Sequence, residues 1–149
     1  MYKHILITTD GSRLAAKGIR TGVNLAKALG AKVTGAYVAP PFAPPVYIEG
    51  AMPSVGPFSR AQYRKLTESI AKRHLRAIER AARAAGVGCR TLLVTDAQPW
   101  QGIVRTARAR KCDAIVMASH GRGAMGGLIL GSETSRVLAH SRIPVVVVR

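Results

Sequence analysis

The sequence predicts an α/β fold: one domain with an open, mainly parallel sheet and helices on both faces. Three observations carry this. Five short apolar or β-branched runs alternate with four helical segments along the 149 residues, the pattern of parallel strands joined by right-handed crossovers. A hydrophobic content of 48% with 20% charged residues suits a folded core. Asp10, Val38 and the 118–132 stretch all fall at the carboxyl ends of apolar runs. That rim is where open α/β sheets bind ligands.

The elements follow in order. His4 to Thr9 is the first strand, and Asp10-Gly11-Ser12 supplies the turn. Ser12 caps a helix from Arg13 to about Leu29, with Leu14, Ile19, Val23, Leu25, Ala26 and Leu29 as its apolar stripe and Gly30 as its stop. Lys32 to Val38 is the second strand. Six of the eight prolines then fall between Ala39 and Phe58, which excludes helix and central strand there. A segment of this length is read as a lid over the ligand rim or as a plain surface excursion.

Ser59 caps a long basic helix, Arg60 to Ala85, ended by Gly86. Leu66, Ile70, Leu75 and Ile78 are its expected buried side. Glu68 with Lys72 and Glu79 with Arg83 have the spacing of helical ion pairs. Cys89 to Thr95 is the third strand. Asp96 or Gln98 caps a helix with Pro99 at its first position, and Trp100, Ile103, Val104 and Ala107 are its apolar side. Asp113 to Ala118 is the fourth strand. A helix from Ser132 to His140 and a strand over residues 144–149 complete the chain.

The formal net charge is +16, from 23 Lys and Arg against 7 Asp and Glu. Such a surface attracts anions without specifying which. The run Arg60 to Arg83 is read first as a solvated face and second as a nucleic-acid surface, though it lacks interleaved aromatics. Cys89 and Cys112 stand apart, with no C-x-x-C and no zinc spacing, and are expected as reduced thiols. No apolar run approaches the ~18 residues of a membrane helix. Met1 to Leu6 leads straight into a strand. The expected location is cytoplasmic.

The most informative stretch is Met117-Ala118-Ser119-His120-Gly121-Arg122, followed by a glycine-rich run to Gly131-Ser132. It joins a buried strand to a helix. Glycine lets backbone N–H groups approach a ligand, and the first N–H groups of a helix are unpaired at its positive end. That is the construction of a phosphate site; the competing reading is a turn with no ligand. Ser132 is the expected cap, and Arg122 is a candidate by charge and position. His120 is within possible reach of phosphate. No G-x-x-x-x-G-K-[ST] and no G-x-S-x-G occurs, which removes the P-loop and nucleophile-elbow enzymes.

Over essentially its whole length the sequence resembles the universal stress protein family. The resemblance rests on Ile5 to Ser12, on Ala118-x-x-Gly121 separated by nine residues from Gly131-Ser132, and on Ile143 to Arg149. The second of these is similar to the nucleotide motif of the ATP-binding branch. It implies a five-stranded sheet of order 3-2-1-4-5, of the adenine nucleotide alpha hydrolase-like type. It also implies a homodimer through strand 144–148, and ATP with Mg or Mn above the first and fourth strands. Thr9 and Asp10 would line the adenosine side and Val38 would meet adenine. Met117, Ala118 and Gly121 would border ribose and phosphates, and Gly131, Ser132, Glu133 and Thr134 would hold the phosphates. Asp10 could position the metal through water. Ala118 stands where the motif has glycine, and Glu133 brings a negative charge towards phosphate. The implied function is a stress or signalling regulator with at most slow ATP hydrolysis. Its alternatives are an interaction protein with a vacant site, or a basic nucleic-acid-associated protein.

Overall fold

The computed structural model describes residues 1–43, 59–120 and 130–149. Gly121, Arg122 and most of the proline-rich stretch lie outside the described residues. The elements are β1 (His4–Thr8), α1 (Arg13–Leu29), β2 (Lys32–Ala39), α2 (Arg60–Ala85), β3 (Cys89–Thr95), α3 (Pro99–Ala109), β4 (Ala114–Ala118), α4 (Ser132–His140) and β5 (Val145–Val148). All strand pairings are parallel and the order is β3-β2-β1-β4-β5, as the family resemblance implied.

Strand alternation sends side chains to two cores. Ile5, Ile7, Val33 and Val116 pack with Ile19 and Val23 of α1 and Leu75 and Ile78 of α2. Leu6, Ala36, Val94, Ile115 and Met117 pack with Ile103, Val104 and Ala107 of α3 and Val137 of α4. The helices therefore cover both faces. β1, central in the sheet, has Ile5, Leu6 and Ile7 fully buried, the continuous apolar run expected of an inner parallel strand.

Local chemistry sets most helix ends. Ser12 caps α1 by accepting from the Ala15 N–H at 3.0 Å. Ser59 and Gln62 form a reciprocal capping box on α2. Gly30 and Gly86 end α1 and α2 in the left-handed region, at φ 60° and 71°, where a Cβ is unfavourable.

Three expectations need correction. Leu66 is 49% exposed, and the buried residues of α2 are Ala71, Leu75, Ile78 and Ala82; its first turns do not pack on the core, so Leu66 finds no partner surface. Glu68 pairs backwards with Arg64 at 3.7 Å, not with Lys72, and Glu79 accepts from Thr91 Oγ1 at 2.6 Å, not from Arg83. Ser132 is not the cap of α4: Gly131 holds that position, with no side-chain cap bond, and Ser132 is the first helical residue. At α3 the cap position is Gln98, again without a side-chain bond to the helix; its Oε1 accepts instead from Trp100 Nε1, while Asp96 Oδ1 accepts from the Gln98 N–H.

Candidate functional site

The order β3-β2-β1-β4-β5 reverses its winding between β1 and β4. At that point the crossovers lie on opposite faces and leave a crevice at the strand carboxyl ends. The structure has a cavity of about 230 Å³ there. Thr8, Thr9 and Asp10 enter from the end of β1, Val38 from β2, Met117, Ala118 and His120 from β4 and beyond, and Glu133 and Thr134 from α4. Pro99 and Ile103 of α3 close one side. Of the residues expected at the site, Thr9, Asp10, Val38, Met117, Ala118, Glu133 and Thr134 line this one cavity. Gly131 and Ser132 border it in sequence but are not lining residues.

The floor is built by backbone constraints. The Thr9 N–H donates to Ala36 O, and Thr9 Oγ1 accepts from the Gly11 N–H at 3.1 Å. Asp10 Oδ1 accepts from the Ser12 N–H at 2.9 Å. These bonds fold the chain sharply from β1 into α1 and fix the Asp10 carboxylate at the rim. β1 pairs with β2 only as far as Thr8↔Ala36, whereas β2 continues alongside β3 to Ala39. The backbone around Val38 therefore lacks a ladder partner on its β1 side, as contact with a ligand there would require.

The opposite wall depends on how α4 meets the end of β4. The Gly131 N–H donates to Ser119 O at 2.7 Å, and Thr134 Oγ1 donates to Ala118 O at 3.0 Å. A Cβ at Gly131 would lie 3.1 Å from the His120 Cα and 3.2 Å from Ser119 O. Its φ is −72°, so glycine is required here for close backbone approach, not for conformational freedom. Because the Gly131 N–H is already engaged, it is not one of the bare amides expected. The N–H groups of Ser132, Glu133 and Thr134 have no backbone acceptor among the described residues, as the first turn of a helix dictates. They form the positive end of α4.

Glu133 is the informative departure. Its Oε2 accepts from the Trp100 N–H at 2.8 Å and its Oε1 lies 3.5 Å from Arg136 Nη1. The carboxylate thus caps α3, the helix whose own cap residue provides no bond. Its charge is met by the α3 dipole and Arg136 before it reaches the cavity.

His120 also lines the cavity, and its Nδ1 is buried with no hydrogen-bond partner among the described residues. Buried polar atoms in proteins are nearly always paired, so this unpartnered nitrogen sets His120 apart among the residues that line the cavity. Among the described lining residues there is no Lys or Arg, and no group of three or more His, Cys, Asp or Glu able to hold a metal occurs among the described residues.

A crevice at the switch point of a parallel sheet, with helix amides on one wall, defines the α/β proteins that bind ligands at strand carboxyl ends. The comparisons sharpen that class. A model of the universal stress protein family matches residues 1–149. A universal stress protein of Thermus aquaticus is 32% identical over 149 residues, covering all of both chains. The solved structure of MJ0577, a universal stress protein of Methanocaldococcus jannaschii, superposes with a TM-score of 0.76 at 29% identity, over 99% of this chain and 96% of that one. A universal stress protein solved in complex with cAMP shares the fold, with a TM-score of 0.71 at 23% identity over 99% of this chain and 97% of that one. The chain belongs to the universal stress protein family.

Proposed function

We propose that this protein is an ATP-binding regulator of the universal stress protein family, working as a homodimer with at most slow hydrolysis. The observation that supports it best is the start of α4 at the switch point: the N–H groups of Ser132, Glu133 and Thr134 have no backbone acceptor among the described residues, and Glu133 and Thr134 line the cavity together with His120. At about 230 Å³ the described cavity is smaller than the roughly 300–1,000 Å³ of typical small-molecule sites. It would enclose part of a nucleotide, the base and sugar, and leave the phosphates at the α4 end. Thr9, Asp10 and Val38 lie on the side suited to adenosine. Met117 and Ala118 form the apolar floor, and the call on Gly121 and Arg122 as further phosphate contacts remains part of this reading. The relative bound to cAMP shows this fold holding an adenine nucleotide.

Asp10 is the carboxylate placed to steer a magnesium or manganese ion, which takes most of its ligands from phosphates and water. Such an ion would neutralise phosphate charge at the rim. Hydrolysis is read as slow at most, because of the two carboxylates lining the cavity Glu133 is committed to the Trp100 amide and Asp10 Oδ1 to the Ser12 amide. Neither is available as a general base. The dimer would form through β5, an edge strand whose Val145–Val148 side chains are all half-buried and whose outer edge is unpaired among the described residues.

The test is to measure the adenine nucleotide carried by freshly purified protein, and its thermal unfolding with and without Mg-ATP. Co-purified nucleotide and a rise in Tm at millimolar Mg-ATP are expected. Neither effect at millimolar ATP would leave the vacant-site interaction protein as the better reading.

A further inference from the structure

A second and larger groove, about 720 Å³, lies at the other end of the sheet, beside the amino ends of β1, β2 and β3. We propose that it binds a small, multiply phosphorylated molecule, held by Lys32, Arg90, Arg110 and Lys111. These four cations come from the start of β2, the start of β3 and the end of α3. No Asp or Glu lines the groove, and none of the four cations makes an ion pair among the described residues. Of the acids close to it, Asp113 has both carboxylate oxygens taken by the Lys3 and His4 N–H groups, and Glu79 accepts from the Thr91 hydroxyl. Thr34, Thr91, Val33 and Leu92 also line the groove, with the Thr34 hydroxyl bonded to the His4 ring and the Thr91 hydroxyl donating to Glu79. The groove's volume falls within the roughly 300–1,000 Å³ of small-molecule sites.

An independent observation is the backbone at Lys111. Three helices end in the same way. In α1 and α2 the residue in the left-handed region is Gly30 or Gly86, and the next N–H reaches back five residues, Ala31 to Ala26 O and Val87 to Ala82 O. In α3 the matching bond runs from the Cys112 N–H to Ala107 O at 2.8 Å, and the left-handed residue is Lys111, at φ 54°. Among the described residues it is the sole non-glycine with positive φ. A side chain there is unfavourable where glycine costs nothing, and strained residues cluster at functional sites. Cations near a helix C-terminus also answer its dipole. That accounts in part for Arg110 and Lys111, but not for Lys32 and Arg90, which come from strands. Single cations spaced around an acid-free groove suit several linked phosphate charges better than one carboxylate. Among the described residues no Phe, Tyr or Trp lines the groove to stack a nucleic-acid base, and the His4 ring is held by Thr34. The groove borders β3, the sheet edge opposite β5, so a dimer through β5 would leave it open.

The test follows backbone amide NMR shifts while inorganic tripolyphosphate is added to the whole protein at roughly 0.15 M salt, where diffuse surface attraction is screened. Saturable shifts are expected at Arg90, Arg110 and Lys111. Lys111→Gly should weaken binding by about fivefold or more, yet raise Tm by roughly 2–4 °C through relief of the left-handed side chain. Lys111→Asn, which tolerates that backbone, and the exposed Arg90→Gln should weaken binding without unfolding the protein. A structural role alone would move Tm but not affinity. Non-saturating shifts, shifts confined to Ser132–Thr134, or unchanged affinity in Lys111→Gly would each overturn the proposal. So would an oligonucleotide that occupies the groove more tightly than tripolyphosphate. The nucleotide reading at the other rim can fail or stand without affecting any of these results.

Discussion

The two ends of the sheet differ in how they could meet an anion. At the carboxyl end, the cavity lining includes Asp10 and Glu133 and, among the described residues, no Lys or Arg. At the amino end, the groove has Lys32, Arg90, Arg110 and Lys111 and, among the described lining residues, no acid. A net charge of +16 therefore says little about the carboxyl-end cavity. There, among the described residues, attraction for phosphate would come from oriented amides of α4, at short range and weakly dependent on salt. At the amino end it would come from side-chain charge, at longer range and strongly screened.

Substitutions can separate the two. The largest effect is expected from Gly131→Val. Its side chain would press on the Ser119–His120 backbone, where even a Cβ lies 3.1 Å from the His120 Cα. The first turn of α4 would move, cost about 1–3 kcal/mol of stability, and abolish the Tm rise with Mg-ATP. Tripolyphosphate binding at the opposite groove should persist.

Val146→Asp should break a β5-mediated dimer, read as a halved mass by light scattering. Val146 packs only partly against the core, so the monomer should keep its fold. A dimer that persists would remove β5 as the interface.

Glu133→Gln is expected to act in opposite directions on two readouts. The α3 cap weakens, because a neutral acceptor replaces a carboxylate on the Trp100 N–H, lowering stability by about 1 kcal/mol. Loss of negative charge beside the α4 amides should strengthen ATP binding a few-fold. Titration calorimetry with thermal unfolding on the same samples checks both signs.

The smallest effect concerns pH. Burial, followed by the charge of Lys32, holds the His4 pKa below its usual 6.5. The unfolded chain then binds more protons than the folded one as pH falls through that value. Stability should decline from about pH 7 downward until the folded His4 itself protonates. His4→Asn should flatten that slope. Asp113 acts at more acid pH. Burial opposes its ionised form, but the Lys3 and His4 amides outweigh this and lower its pKa. Its contribution is present above the ordinary carboxylate range and is lost as pH falls through the folded value. The thiols are protonated at neutral pH: burial pushes Cys112 up to about 11 and raises Cys89, with Glu79 adding to the latter.

The sequence made most of the fold legible because the relevant physics is local. Ile5-Leu6-Ile7 is apolar on both faces, as an inner parallel strand must be. Ser12, Ser59, Gly30 and Gly86 mark helix ends through contacts a few residues away. What escaped is interaction across long sequence separation. Glu133 caps a helix 33 residues earlier, so its charge was read as facing phosphate. The Gly131 amide is spent on Ser119, which no spacing rule reveals. His120 stands beside the glycine-rich stretch in sequence, but that its Nδ1 is buried without a partner is visible only once the surrounding groups are placed. Leu66 was assigned to a buried side because apolarity cannot show where a long helix outruns its sheet. Lys111 gave no warning at all, since an α3 ending without glycine carries no local signal for a left-handed residue.

The account depends most on the amides of Ser132, Glu133 and Thr134. Their shifts during a Mg-ATP titration are the most direct measurement. Large, saturable changes at these three, together with the His120 ring, are predicted, while Arg90 and Lys111 stay unmoved at low nucleotide. Saturation with no change at the start of α4, or no saturation anywhere, would contradict it.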